Sequence, residues 1–135
     1  MACRYPLILL IAAFASFAAG CAESEFTPVR GQVFYKSVPL TSGVVMFQPP
    51  YGPPSRGTIQ QDGTFELATP GRADGARPGV NQVRISSREE PPIQRGELKL
   101  GRLLIPERYT QFGDSGLTAE VKPGSNEPFV FHLAD

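Results

Sequence analysis

Few side chains in this 135-residue chain have the types and spacing that chemistry requires. The single histidine, His132, would serve as a metal ligand or general base, but it alternates with Phe131 and Leu133. Its ring is therefore expected on the outer face of a strand whose inner face is apolar. With no second histidine, and with both cysteines, Cys3 and Cys21, near the start of the chain, no zinc set is expected. Asp62, Asp74 and Asp114 each precede Gly or Ser. Calcium would need their carboxylates to converge, and none belongs to an Asp-x-Asp-x-Asp-Gly loop, so turn roles are expected. Ser115, within Gly113-Asp114-Ser115-Gly116, lacks the Gly-x-Ser-x-Gly spacing of a nucleophile elbow. Lys36 and Asn126, with Glu66 as acid, are the reactants an isopeptide bond would need, but both flank turns and read as solvated groups. These residues predict neither an enzyme nor a cofactor or metal site.

Cys21 has the most definite chemistry. Arg4 is the only early charge, an apolar stretch runs from Leu7 to Ala19, and Ala18-Ala19-Gly20 precedes the cysteine. A bilayer-spanning helix needs roughly 20 apolar residues. This run is shorter and soon meets Glu23 and Glu25, so residues 1–20 read as a signal peptide. Residues 18–21 resemble the bacterial lipobox, with Ala18 where leucine is usual, and in that motif the cysteine thiol takes a diacylglycerol before cleavage. Lipidation of Cys21 is the expectation, with plain secretion and a free thiol as the alternative. The chain would then be extracytoplasmic, held to the cell membrane or the outer membrane by its lipid. Two or more acyl chains suffice for stable anchoring.

The remaining composition fits that setting. Cys3 would be discarded and Cys21 acylated, so no disulfide is available and a hydrophobic core must carry the fold. All acidic residues and all basic residues but Arg4 follow the cleavage site, leaving a nearly neutral chain that is not expected to bind nucleic acid. Residues 21–28 form a short tether, so the domain at 29–135 should sit near the membrane surface.

That domain repeats one pattern, a short alternating run bounded by Gly, Pro, Asp or Asn, which predicts an all-β fold. Val29, Gly31, Val33 and Tyr35 share one face of a first strand, and Val45 and Phe47 point inward from a second. Residues 56–60 and 64–69 should form a hairpin about Asp62-Gly63, with Phe65 and Leu67 on one face. A fifth strand, 80–86, turns Val83 and Ile85 inward. Leu117, Ala119 and Val121, then Phe129, Phe131 and Leu133, are expected to close the fold as an antiparallel pair. Seven strands with short links predict a two-sheet Greek-key sandwich, with a small barrel as the alternative.

Gly31-x-Val33 with Pro39-Leu40, Gly43-x-Val45-x-Phe47, Asp62-Gly63-x-Phe65-x-Leu67, and Gly79 before an alternating strand together resemble the carboxypeptidase regulatory-like domain. Ile105-Pro106-x-x-Tyr109, Ser115-Gly116-Leu117-Thr118 and Asn126 are similar to features of a subgroup of small bacterial lipoproteins carrying it. The resemblance covers roughly 27–135 and implies a transthyretin-like sandwich serving as a non-catalytic accessory module.

Two segments are candidates for partner contact. Pro49-Pro50-Tyr51-Gly52-Pro53-Pro54 is stiff and able to present Tyr51, although a rigid inter-strand loop is its commoner role. Residues 87–109 lack strand alternation and scatter Leu98, Leu100, Leu103 and Leu104 among Arg and Lys. Leu103 to Ile105 could pack as an edge strand under Pro106, or stand as an exposed apolar patch. The function expected is a lipid-anchored binding or structural module of the cell envelope. An accessory subunit docked to a larger envelope enzyme or secretion complex is the alternative. A sugar-binding role is disfavoured because the chain has no tryptophan for stacking.

Overall fold

The computed structural model describes residues 25–91, 95–96 and 99–135; the signal segment, Cys21 and Leu98 lie outside the described residues. The described residues are all-β, in two sheets. Alternation builds strands β1 (Arg30–Tyr35), β2 (Val38–Pro39), β3 (Val44–Gln48), β4 (Ser55–Thr58), β5 (Thr64–Glu66), β6 (Ala68–Thr69), β7 (Ala73–Asp74), β8 (Gly79–Ser86), β9 (Leu117–Val121) and β10 (Phe129–Leu133). One turn of 3-10 helix, Glu107–Thr110, is the helical element among the described residues. In the four-stranded sheet β1 lies between β10 on one side and β5 and β2, end to end, on the other. The six-stranded sheet runs β7-β6-β4-β3-β8-β9.

The period-two pattern decides which side chains meet between the sheets. Val33 from the first sheet and Val45, Phe47, Val83 and Ile85 from the second are fully buried, and Phe65, Val121 and Leu133 nearly so. Phe47 packs edge-on against Phe65, Phe129 and Phe131 at 5.8–6.4 Å, so aromatic rings from both sheets interlock at the centre.

All seven segments expected to be extended contain strands, but two pairings and one turn differ from expectation. The last two strands are not partners: β9 pairs antiparallel with β8, while β10 crosses to the other sheet and runs parallel to β1. The intervening residues 122–128 are too long for a tight hairpin. Asn126 folds the link by bonding both the N–H of Lys122 (2.8 Å) and its carbonyl (2.9 Å).

The strand expected over 64–69 changes sheets at Leu67. Its first half, β5, pairs with β1, and its second half, β6, pairs with β4. The Leu67 N–H is taken by the Val29 carbonyl at 2.9 Å, which turns the chain across the core. With β2 and β7 as further two-residue strands, the number exceeds the seven expected.

The Asp-Gly turn is also longer than a two-residue loop. Gln60 bonds the Thr64 carbonyl at 2.8 Å, Gly63 bonds that of Gln60 at 2.9 Å, and only Gly63 is left-handed, with φ +84°. This is a three-residue hairpin with a glycine bulge. Asp62 stiffens it by accepting from the Thr64 N–H (3.0 Å) and hydroxyl (2.6 Å). Those two bonds, the hydroxyl's first, hold the Asp62 carboxyl below its ordinary range. A lowered folded-state pKa gives stability that is present above the unfolded value and lost as pH falls through the folded one. Asp62→Ala should therefore lower the melting temperature near pH 7 but change it little at about pH 2. An equal loss at both pH values would show that the ionised carboxylate is not what holds the turn.

The segment 87–109 is partly built into the sheet edge. Leu104 bonds the Ser87 carbonyl and Glu89 bonds that of Arg102, both at 2.9 Å, which bridges Arg88 to Leu103. Ile105 and Tyr109 are buried beyond it, as expected for chain packed under Pro106.

Candidate functional site

Ahead of the first strand, one buried cation joins three stretches of chain: 25–26, 51–52 and its own loop. Arg77 lies within the Pro70–Gly79 loop, and its side chain is only 8% exposed. Its guanidinium pairs with Glu25 and lies 5.3 Å from the Phe26 ring centre and 4.5 Å from that of Tyr51. Gly52 packs against the same group, since a Cβ there would stand 3.1 Å from the guanidinium. A buried guanidinium needs compensating partners. Tyr51 first, and then Glu25, hold it in the charged form against the opposing effect of burial.

Local sequence explains why the backbone delivers Arg77 there. Gly75 adopts φ +95°, and its N–H and carbonyl are tied to the Leu67 carbonyl (2.8 Å) and the Thr69 hydroxyl (3.0 Å). Thr27 and Ala76 then exchange two backbone hydrogen bonds of 2.9 Å. Asn81, fully buried at the start of β8, donates to the carbonyls of Arg77 (3.1 Å) and Gly79 (3.0 Å). The result is a latch: residues 25–27 are fastened to the body of the domain and to the proline-rich loop at once.

Of the expected contact residues, Tyr51 is half of this latch yet remains 66% exposed. Leu103 and Leu104 are half-buried against residues 87–89, and Leu100 is 82% exposed. The two groups do not form one surface. Tyr51 lies at the start of β8 and the leucines lie beyond its end, and eight residues of strand span about 26 Å.

His132 is exposed and stacks on Phe34 with ring centres 5.2 Å apart. Ser115 is buried, donating to the Val83 carbonyl and accepting from the Leu117 N–H at 3.2 Å, so it fastens the turn before β9. Lys36 bonds the carboxylate of Asp135 at 2.6 Å, which keeps its amine protonated and so not nucleophilic. Asn126 lies beyond the opposite end of β1, and the register from Gly31 to Tyr35 alone separates the two by about 13 Å. Among the described residues no group of three or more His, Cys, Asp or Glu is placed to hold a metal ion.

One open cleft of about 560 Å³ lies between residues 28–30, 66–68, 74–75 and 124–126. Arg30, Glu66 and Asp74 stand exposed on its rim, and Arg30 is the register partner of Glu66 across β1 and β5. Its rim carries charge of both signs and no orphaned buried polar atom points into it.

Architecture and site define a two-sheet all-β domain whose N-terminal lead is fastened by a buried arginine. No family model, curated protein or solved structure matches the chain. Sequence reasoning found Tyr51 but missed Arg77, Glu25 and Phe26. Their only signal was an arginine between Ala76 and Pro78 in a loop otherwise rich in small residues, and an aromatic residue at the foot of the first strand.

Proposed function

We propose that this protein is a non-catalytic module of the bacterial cell envelope, held to its membrane by lipid on Cys21, with a binding or structural role. The observation that carries the reading is how soon after Cys21 in the sequence packed structure is found. Thr27, six residues beyond Cys21, is already buried and paired with Ala76, so cleavage before Cys21 would release the domain with almost no spare sequence ahead of it. That short interval supports a signal segment removed just ahead of the domain.

The finer fold we infer is a Greek-key, transthyretin-like sandwich of the carboxypeptidase regulatory-like kind. It is supported by the chain's repeated crossing between sheets, at Leu67 and between β9 and β10, and by the position of the resembling glycines at turns and close approaches. A second reading, as an accessory subunit docked to a larger envelope complex, draws on the exposed Leu100 at the end of the domain away from the latch.

Mass spectrometry of the mature N-terminus, with Cys21→Ala as control, tests the anchor. The wild type should begin at an acylated Cys21 and partition with membranes, and Cys21→Ala should not. Unmodified, soluble wild-type protein would sink the proposal.

A further inference from the structure

A lipid on Cys21 fixes one point of the domain, and which surface then meets the bilayer depends on how rigidly the chain joins the fold. Glu25 is four residues beyond Cys21, so an extended chain reaches no more than about 14 Å between them. From Glu25 onward the path is fastened: Glu25 and Phe26 lie against the Arg77 guanidinium, and Thr27 is paired in both directions with Ala76. The ring of Tyr51 covers the same guanidinium, with its outer side left to solvent. The loop carrying it, Pro49-Pro50-Tyr51-Gly52-Pro53-Pro54, contains no charged residue. An uncharged, stiff tip with a tyrosine at its apex suits the headgroup region, where the amphipathic phenol ring is favoured.

We propose that Tyr51 and the 49–54 loop form the membrane-facing tip of the domain, seated among the headgroups of the bilayer that holds Cys21 and aligned there by the Arg77 latch. This rests on lipidation of Cys21. The occupant of the tip is lipid. The opposite end of the domain, where Leu100 projects, points away: β1 and β8 both start beside the Thr27–Ala76 pair and run from it.

The chain has no tryptophan, so a single introduced indole reports only its own position. Full-length lipidated Tyr51→Trp and Leu100→Trp proteins would be reconstituted in vesicles of phosphatidylethanolamine and phosphatidylglycerol containing a headgroup spin-labelled lipid. Both substitutions are at exposed positions, and far-UV circular dichroism checks that the fold is kept. Quenching should be roughly two-fold or more stronger for Tyr51→Trp than for Leu100→Trp. Adding Glu25→Gln and Phe26→Ala to Tyr51→Trp should bring its quenching down towards the Leu100→Trp value. An unmodified Cys21 mass would sink the anchor reading, and this one with it. A lipidated, vesicle-bound chain with equal quenching at the two positions, or quenching unmoved by loosening the latch, overturns only the orientation proposed here.

Discussion

Phe47→Ala should cost about 3–5 kcal/mol of unfolding free energy, the range for removing a fully buried aromatic side chain. Phe47 is 0% exposed on β3, a central strand of the six-stranded sheet, and its ring meets Phe65, Phe129 and Phe131 of the other sheet. These neighbours sit on strands held in their own sheet by backbone pairing, so they cannot collapse into the space that truncation leaves. A domain of this size has only about 5–15 kcal/mol of stability, so the loss is a large share of the total. Phe34→Ala provides the contrast. Phe34 is a half-buried residue of β1 on the outer side, where its ring stacks on the exposed His132, and its removal should cost about 1 kcal/mol. Urea unfolding followed by far-UV circular dichroism measures both. Similar losses for the two variants would mean that the inter-sheet ring cluster is not the centre of stability.

The legible parts of this fold were those governed by local alternation. Val33, Val45, Phe47, Val83 and Ile85 could be assigned to the core because each strand reads inward and outward with period two. Pairing is a different kind of information. Nothing local to Leu117–Val121 or Phe129–Leu133 says whether the second strand turns back on the first or crosses to the other sheet. That choice depends on Asn126 capping the Lys122 backbone and on the space left beside β1. The strand that changes sheets at Leu67 was hidden for the same reason, since alternation continues unbroken through the bend.

The site divides similarly. Tyr51 stood out because prolines flank an aromatic residue, which is a local signal. Arg77 could not be singled out, because its partners Glu25 and Tyr51 lie 52 and 26 positions away and no motif connects them. Long-range charge burial follows from the completed topology, where the Thr27–Ala76 pair brings the lead of the chain alongside the loop before β8. The segment 87–109 shows no alternation in sequence because its pairing, Ser87 to Glu89 with Arg102 to Leu104, is too short to impose one.

Gly75→Ala should undo the attachment of residues 25–27, at a cost of about 3 kcal/mol from steric overlap, left-handed strain and weakened hydrogen bonds together. Gly75 has φ +95°, and a Cβ on it would lie 2.1 Å from the Thr27 carbonyl oxygen and 2.5 Å from its carbon. Both are backbone atoms, so no rotamer change relieves the contact, and the Thr27–Ala76 hydrogen bonds must lengthen or open. Gly71→Ala separates the causes, because Gly71 is also left-handed, at φ +74°, but an added Cβ meets nothing within 4 Å. That variant should lose only the conformational part, about 1 kcal/mol. Hydrogen exchange gives the site-specific reading: the amides of Thr27 and Ala76 should exchange faster in Gly75→Ala than the global loss of stability accounts for, and in Gly71→Ala they should not. Equal destabilisation by the two alanines, with Thr27 still protected, would show that close backbone approach at Gly75 is not what fastens the chain to the domain.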